Sequence, residues 1–167
     1  AASGARPPVA GRLPAAPVAL TPIRTTGQYG GKRRVFSPDT GNSIQEYMYG
    51  HSPLWWIDDG LAVAPGMCET WSTNADNTEW ILNFRKGLRW SDGEPCTVDD
   101  VLFWWNDMVL NDSHSDNPPD WALVGGKLVD MIRVDDYTLQ LNFVEPAPLT
   151  AMRLSNHVKA GVGARWI

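Results

Sequence analysis

Pairs of adjacent carboxylates are the first residues in this 167-residue chain whose types suggest acid–base chemistry. They occur at Asp58/Asp59, Asp99/Asp100 and Asp135/Asp136. General acid and base work needs two carboxyl groups that converge on one bond, whereas adjacent side chains on a helix or strand point in different directions. We therefore interpret the three pairs as helix caps and turn residues, and they predict no enzyme activity.

Histidine and cysteine, the usual metal ligands and nucleophiles, are sparse and scattered. His51, His114 and His157 form no HxxxH or HxH pair, so their spacing does not favour a metal site. Cys68 and Cys96 belong to no CxxC motif, and we favour two buried free thiols over the alternative of a disulfide, which needs Cα atoms within about 7 Å. The chain also lacks a GxSxG elbow and a GxxxxGK loop. The sequence predicts neither a metal nor a cofactor.

Tryptophan is the most notable candidate for ligand contact, with nine residues in the chain. Its large flat ring can stack on a sugar or form the wall of a peptide pocket. Strand periodicity predicts that three of them are buried in the core: Trp71, Trp80 and Trp90. Three others stand in predicted loops, where ligand contact competes more closely with core packing: Trp55, Trp56 and Trp121.

Charge is distributed unevenly along the chain. Residues 1–34 hold six basic residues and no acidic ones, whereas the remaining residues hold 8 basic and 19 acidic groups, a net charge of −11. An acidic body argues against a nucleic-acid partner, because phosphate binding needs clustered Lys and Arg on the folded surface. No stretch approaches the roughly 18 uncharged apolar residues of a membrane-spanning helix.

The Ala- and Pro-rich start of the chain predicts a domain boundary. We interpret residues 1–28 as a disordered linker, because regularly spaced prolines keep a segment extended and poorly able to bury surface. Such a linker fits either a chain from which an export signal was removed or a fragment. Residues 29–167 are then one unit, since the chain is too short for two full-sized domains.

Four predicted elements lead into the body of the chain. A short strand over residues 32–37 precedes a helix that opens at Ser43 and Glu46, spaced as in a capping box, and reaches Tyr49. A hairpin follows about the turn at residues 74–77, because apolar Trp80, Leu82 and Phe84 alternate with other residues.

The sequence after residue 96 predicts a helix and another hairpin. Thr97 and Asp100 form a second capping box, which opens a helix reaching Val109 that should lie on a sheet. Strict alternation after Asp135/Asp136 predicts a second hairpin, and the prolines at 146 and 148 introduce a short helix.

The segment WILNFRKGLRWSDGEPCTVDDVLFWW, residues 80–105, strongly resembles the signature of the family 5 extracellular solute-binding proteins, the peptide-binding components of ABC importers. The signature positions that this chain keeps are Trp80, Phe84, Arg85, Gly87, Trp90, Ser91, Asp92, Gly93, Pro95, Thr97, Asp99, Asp100 and Val101. It departs at Cys96, usually Phe, and at Val98, usually Ala. The resemblance extends over about residues 29–150.

This resemblance implies an α/β fold: a mixed-sheet lobe of a type II periplasmic-binding-protein-like bilobal fold, truncated in this chain, with residues 29–167 as a partial N-terminal lobe. It also implies a non-enzymatic, monomeric receptor that captures a peptide or oligosaccharide for ABC permease subunits. Its location would be periplasmic or extracellular, with a lipid anchor as one option. The alternative, a carbohydrate-active enzyme or carbohydrate-binding module, is motivated by the nine Trp in an acidic chain.

Within this framework, the signature is a scaffold and the ligand contacts lie elsewhere. We expect them in the loop after the first strand, with two residues after it and one later aromatic: Asp39, Thr40, Gly41, Asn42, Tyr49, His51 and Trp121. Ordinary loop roles for these residues are the alternative. Backbone amides near Gly41 at a helix start suit a carboxylate or hydroxyl group.

Overall fold

A computed structural model describes most of the body of the chain and parts of its N-terminal segment. The described residues are 8, 11–19, 21–22, 25–28, 30–32, 52–57, 62–90, 92–113 and 118–155. The strand predicted over residues 32–37 and the helix predicted from Ser43 to Tyr49 lie outside them, apart from residue 32.

Eight strands and two short α-helices make up the regular structure of the described residues, with a π-helical turn and a 3₁₀ turn between them. In chain order they are β1 (Leu54–Ile57), β2 (Ala62–Pro65), β3 (Cys68–Thr73), β4 (Glu79–Phe84), α1 (Val98–Phe103), the π turn (Trp104–Val109), the 3₁₀ turn (Asp120–Ala122), β5 (Leu123–Val124), β6 (Lys127–Leu128), β7 (Asp130–Asp135), β8 (Thr138–Asn142) and α2 (Thr150–Leu154).

The central sheet has four strands in the order β3-β4-β8-β7. Its two hairpins lie side by side because β4 pairs with β8, with Leu82 opposite Leu139 and Trp80 opposite Leu141. Two further sheets are the two-stranded ribbons β1-β2 and β5-β6. Every strand pair of the described residues is antiparallel.

The first predicted hairpin is confirmed. Its turn is closed by Asn74, whose side-chain Oδ1 accepts hydrogen bonds from the backbone N–H groups of Thr78 at 2.9 Å and Glu79 at 3.1 Å. Asn77 adopts a φ of 56°, a left-handed conformation that Asn tolerates better than most residues. Asn therefore provides both the side-chain acceptor and the backbone freedom of this turn.

Core burial of the tryptophans follows the prediction only in part. Trp80 is 4% exposed and packs in the core, as predicted. Trp71 is half-buried and packs against the core, and Trp90 is half-buried, so neither is buried as fully as predicted. Trp71 lies on β3, an edge strand of the central sheet, and Trp90 lies beyond the end of β4. Strand periodicity identifies a face, but an edge position leaves that face partly uncovered.

The predicted helix and its capping box are confirmed, and the second half of the helix is wider than an α-helix. The Thr97 side chain accepts a hydrogen bond from the Asp99 N–H at 3.3 Å, and Asp100 Oδ2 accepts one from the Thr97 N–H at 2.7 Å. After Phe103 the helix continues as a π turn, where the Leu110 N–H donates to the Trp105 carbonyl. Val98, Val101 and Trp105 point into the core.

The second hairpin is confirmed about the turn at Asp135 and Asp136, and so is the short helix after the prolines, α2. Leu139 and Leu141 on β8 are completely buried, which explains the strict alternation of that strand. The Val98 N–H donates to the Asp136 carbonyl at 2.9 Å, so the start of α1 is tied to the hairpin turn.

The part of the N-terminal segment that the structure describes contacts the lobe. The Ala15 N–H donates a 3.0 Å hydrogen bond to the Lys86 carbonyl, and Arg85 Nη1 donates to the Ala16 carbonyl at 2.6 Å. Composition alone did not lead us to expect these contacts. The domain boundary at residue 28 remains a prediction.

Candidate functional site

The signature turn between β4 and α1 is closed by its own hydrogen bonds. The Trp90 N–H donates to the Glu94 carbonyl at 2.9 Å, and the Gly93 N–H donates back to the Trp90 carbonyl at 3.0 Å. Asp92 Oδ1 accepts from the Glu94 N–H at 3.0 Å, and Arg89 Nη1 donates to the Gly93 carbonyl at 2.7 Å. Gly93 has a φ of +103°, which residues with a side chain rarely adopt. The hydrogen bonds of the described turn residues are therefore made within the turn, which is a structural role.

Arg85 is a second signature residue with a structural role. Only 8% of it is exposed, and its Nε donates a 2.8 Å hydrogen bond to the Gly66 carbonyl while Nη1 contacts Ala16. Within the described ranges, no carboxylate lies within ion-pair distance of this guanidinium. Burial removes water from this cation, and hydrogen bonds to two backbone carbonyls replace part of its hydration.

The carboxylates of the pair on α1 serve the helix and its contact with the sheet. Asp100 closes the capping box, and Asp99 Oδ1 accepts a 2.8 Å hydrogen bond from Arg133 Nε on β7. The two side chains therefore diverge, as their adjacency predicts.

The pair in the second hairpin closes the turn. Asp135 Oδ1 accepts from the Tyr137 N–H at 2.8 Å, and this hydrogen bond is the main reason that the pKa of Asp135 lies below its usual range. Asp136 pairs with Arg133. The predicted cap and turn roles are confirmed for these two pairs, whereas Asp58/Asp59 lie outside the described residues.

The two cysteines are buried free thiols, as the sequence predicts. Burial raises the pKa of Cys68 well above its ordinary value, and the nearby Arg85 cation opposes this with a smaller effect. Burial, with a smaller contribution from the Asp100 carboxylate, raises the pKa of Cys96 to about 11. Both thiols stay protonated at neutral pH, and a protonated buried thiol is a poor nucleophile and metal ligand.

Metal ligands do not cluster in the part of the chain that the structure describes, where no group of three or more His, Cys, Asp or Glu side chains could hold an ion. The three histidines, His51, His114 and His157, lie outside that part.

The three tryptophans that we assigned to loops have two different environments. Trp121 lies in the 3₁₀ turn, is 1% exposed and belongs to the core, a position that favours packing over ligand contact. Trp55 and Trp56 belong to strand β1 and not to a loop, and they are 40% and 47% exposed. The LWWI run gave no strand signal because its residues do not alternate in polarity.

The Trp55 indole covers Gly66 closely. A Cβ atom added at Gly66 would lie 2.5 Å from Trp55 Cδ1 and 2.5 Å from the Ser52 carbonyl oxygen, so no residue larger than glycine fits without movement. This contact positions the ring as one wall of a cleft of about 310 Å³, whose opposite side is formed by the N-terminal segment around Pro14 and Pro17.

A second cleft of about 330 Å³ lies between the β5-β6 ribbon and α2. Its walls include the exposed Leu123 and Leu149, and Arg153 supplies one cationic group. The described lining of this groove is apolar with one cation and includes no pair of acid and base groups such as a hydrolase needs, and a groove of this kind can bind an extended chain.

Six of the seven ligand contacts expected from the sequence lie outside the described residues: Asp39, Thr40, Gly41, Asn42, Tyr49 and His51. Their proximity to one another and to a ligand stays a prediction. Trp121, the seventh, lies in the core. Trp55, which we expected in a loop as one candidate for ligand contact, lies in a strand and lines the first cleft, and the burial of Arg85 beside it was not predicted.

Comparison with known proteins agrees with the type II periplasmic-binding-protein-like lobe that the resemblance implies. Residues 62–164 match the family described as bacterial extracellular solute-binding proteins, family 5 Middle. The periplasmic alpha-galactoside-binding protein of Rhizobium meliloti is 30% identical over 98 residues, which cover 58% of this chain and 14% of that protein. The periplasmic oligopeptide-binding protein OppA of Escherichia coli is 33% identical over 100 residues, 51% of this chain and 18% of that protein.

A solved structure of an oligopeptide-binding protein OppA superimposes on 95% of this chain with a TM-score of 0.77 and 34% sequence identity. The matched part is 24% of that structure. This chain therefore spans about a quarter or less of the length of each of these three relatives. The family match covers more than half of this chain, and the signature segment lies inside it. The chain belongs to the bacterial extracellular solute-binding proteins of family 5.

Proposed function

We propose that this chain is part of an extracytoplasmic receptor of an ABC importer, which captures a peptide or an oligosaccharide and delivers it to permease subunits in the membrane. The observation that carries the proposal is the match of residues 62–164 to the solute-binding family. The geometry supports it, because the signature residues of the described part are engaged in turns, caps and buried hydrogen bonds. Such a rigid wall suits a receptor whose ligand is gripped between lobes.

Two classes of cargo are supported by the names of the relatives. One of them binds alpha-galactosides and another binds oligopeptides, and this chain is similar to both to nearly the same degree. The cargo we propose is therefore a short peptide or a small oligosaccharide. Both classes present hydroxyl, amide or carboxylate groups that backbone amides can bind.

The ligand contacts that we propose on this chain are Asp39, Thr40, Gly41, Asn42, Tyr49 and His51. A polar loop that leads into a predicted helix directs backbone N–H groups at a ligand, which supports the choice of Gly41 and Asn42. Trp121 would act indirectly, through its packing in the core.

The remaining properties of the receptor follow from the same proposal. It has no enzymatic activity, because the described acidic pairs are engaged in caps and turns. It acts as a monomer and binds no nucleic acid, which the net charge of −11 beyond residue 34 supports. It lies in the periplasm or outside the cell, as the names of its relatives suggest, with a lipid anchor as one means of attachment. Among the described residues, no helix is long and apolar enough to span a membrane.

Uptake measurements test this proposal directly. We expect deletion of the gene that encodes this chain to abolish the uptake of radiolabelled trialanine, of raffinose, or of both, and re-expression of the gene to restore it. Trialanine reports peptide cargo and raffinose reports α-galactoside cargo. Unchanged uptake across panels of short peptides and oligosaccharides in the deletion strain would contradict the proposal.

The alternative of a carbohydrate-active enzyme has its own readout. Purified protein that hydrolysed nitrophenyl glycosides would overturn the non-enzymatic part of the proposal.

A further inference from the structure

The N-terminal segment 13–18 crosses the turn that follows β4 and is held there through its backbone. The Ala15 N–H donates to the Lys86 carbonyl at 3.0 Å, while the Ala16 carbonyl accepts from Arg85 Nη1 at 2.6 Å. The backbone donor of Ala15 and the backbone acceptor of Ala16 are therefore bound by two adjacent signature-segment residues, Lys86 and Arg85. The contact is made by backbone atoms and not by particular side chains at positions 15 and 16.

Gly87 completes the surface on which this segment lies. Its φ is +82°, and a Cβ atom built there would stand 3.5 Å from the Ala15 nitrogen and 3.7 Å from Pro14 Cα. A longer side chain at position 87 would extend into the space that the segment occupies. Gly87 thus adopts the positive φ that the turn requires and also leaves room for the segment on this surface.

A cleft of about 310 Å³ adjoins the two hydrogen bonds. Pro14 and Pro17 of the segment line it together with Trp55, Met67 and Leu88 of the lobe. Because open space lies between these apolar groups, the segment is held here through its backbone hydrogen bonds.

We propose that Arg85, Lys86 and Gly87 are a docking site for a chain segment bound through its backbone, and that its occupant is segment 13–18 of the same molecule. Arg85 supplies the energetic reason. It is buried and, in the described ranges, has no carboxylate partner, so release of the segment removes one of the two carbonyls that its guanidinium bonds. The RxG part of the signature is thereby a receptor for the chain's own N-terminal segment, independently of the cargo that the protein binds.

Limited trypsin digestion of the full 167-residue chain tests the docking, with cleavage after Arg12 followed by mass spectrometry. A protease needs the flanking residues to leave the surface, so the cleavage rate reports the population of the undocked segment when docking is fast. We expect the wild-type chain to be cleaved at least about tenfold more slowly than a synthetic peptide of residues 8–22.

The decisive variant is Ala15→Pro, which removes the N–H donor at an exposed position, and its matched control is Ala15→Ser, which keeps the donor. Loss of one hydrogen bond should raise the cleavage rate about three- to tenfold in Ala15→Pro, whereas Ala15→Ser should stay within about twofold of wild type. Equal rates for the two variants, or a wild-type rate equal to that of the free peptide, would overturn the proposal.

A second pair of variants tests the role of Arg85 itself. Arg85→Lys cannot hold two carbonyls with a planar fork and should raise cleavage after Arg12, whereas Arg89→Lys, which alters a contact in the neighbouring turn, should not. Near-UV circular dichroism shows whether each variant is folded. If Arg85→Lys does not fold, the comparison at Ala15 decides the question, because that residue is exposed and lies outside the sheet.

Discussion

Arg133 Nε donates a 2.8 Å hydrogen bond to Asp99 Oδ1 and so joins strand β7 to helix α1 across 34 residues of sequence. The same guanidinium pairs with Asp136 at the turn into β8. The helix opened by the second capping box is therefore held over the second hairpin by a charged contact at its first turn, where a carboxylate also favours the helix dipole. The Asp99/Asp100 and Asp135/Asp136 pairs, which we interpreted as cap and turn residues, therefore also join the helix to the hairpin.

We expect Arg133→Ala to lower the melting temperature only slightly, because the side chains of Arg133 and Asp99 are 40% and 64% exposed. The effect should shrink as salt is added, since exposed charges are screened over about 3 Å at 1 M ionic strength. Thermal denaturation in 0.05 M and 1 M NaCl measures it. A large loss of stability that salt leaves unchanged would show that Arg133 acts through packing instead.

Removal of the helix cap should have a larger effect. Thr97→Ala deletes the side-chain oxygen that accepts from the first turn of α1, and we expect the free energy of unfolding to fall by about 1 kcal/mol. Thr97→Ser keeps the oxygen and is the matched control. Urea denaturation compares the two, and equal midpoints would show that the capping box contributes nothing to stability.

Two tryptophans of the signature should differ in their contribution to stability. Trp80 is 4% exposed, so Trp80→Ala should lower the free energy of unfolding by about 3–5 kcal/mol. Trp90 is half-buried, and its backbone groups close the turn whatever its side chain, so Trp90→Ala should cost less than half as much. Guanidinium denaturation of both variants checks the order. A Trp90 loss as large as that of Trp80 would contradict the burial that the structure assigns.

Because the pKa of the Cys96 thiol is raised, we expect the free energy of unfolding to fall at high pH. The pKa of this thiol is raised from 9.0 to about 11, mainly by burial, so the folded chain holds the thiol proton more tightly than the unfolded chain. The stability that this contributes is complete below pH 9 and is lost as the pH rises from 9 to 11, with a limiting slope of about 1.4 kcal/mol per pH unit.

Cys96→Ala is the reference for this prediction, because it removes the thiol and leaves all other titrating groups. The free energy of unfolding, measured by urea denaturation at several pH values, should fall more steeply in wild type than in the variant between pH 9 and 11. Parallel curves would mean that the thiol is solvated in the folded state.

Much of the framework could be predicted because its signals are local. Alternation identified β4 and β8, and the fixed spacing of Thr97 and Asp100 identified the start of α1. The resemblance to a known family then assigned the fold and gave the expected location of the ligand contacts, most of which lie outside the described residues.

Other features depend on contacts that no local pattern records. The burial of Trp71 depends on which strands cover β3, and β3 lies at an edge. The N-terminal segment is held by a donor 69 residues away, the guanidinium of Arg85, while its own composition predicts disorder. Trp55 and Trp56 stand in a strand without alternation, so neither the strand nor its exposure could be predicted.

Uptake by cells carrying Gly93→Ala tests most directly whether the signature junction is a rigid wall while cargo is chosen elsewhere. Gly93 has a φ of +103° and no heavy atom within 4 Å of an added Cβ, so alanine strains the backbone without a clash. In the deletion strain, the variant should lower the melting temperature of the protein and the total uptake, while the rank order across a panel of labelled peptides and oligosaccharides matches wild type. A changed rank order at an unaltered melting temperature would contradict the account.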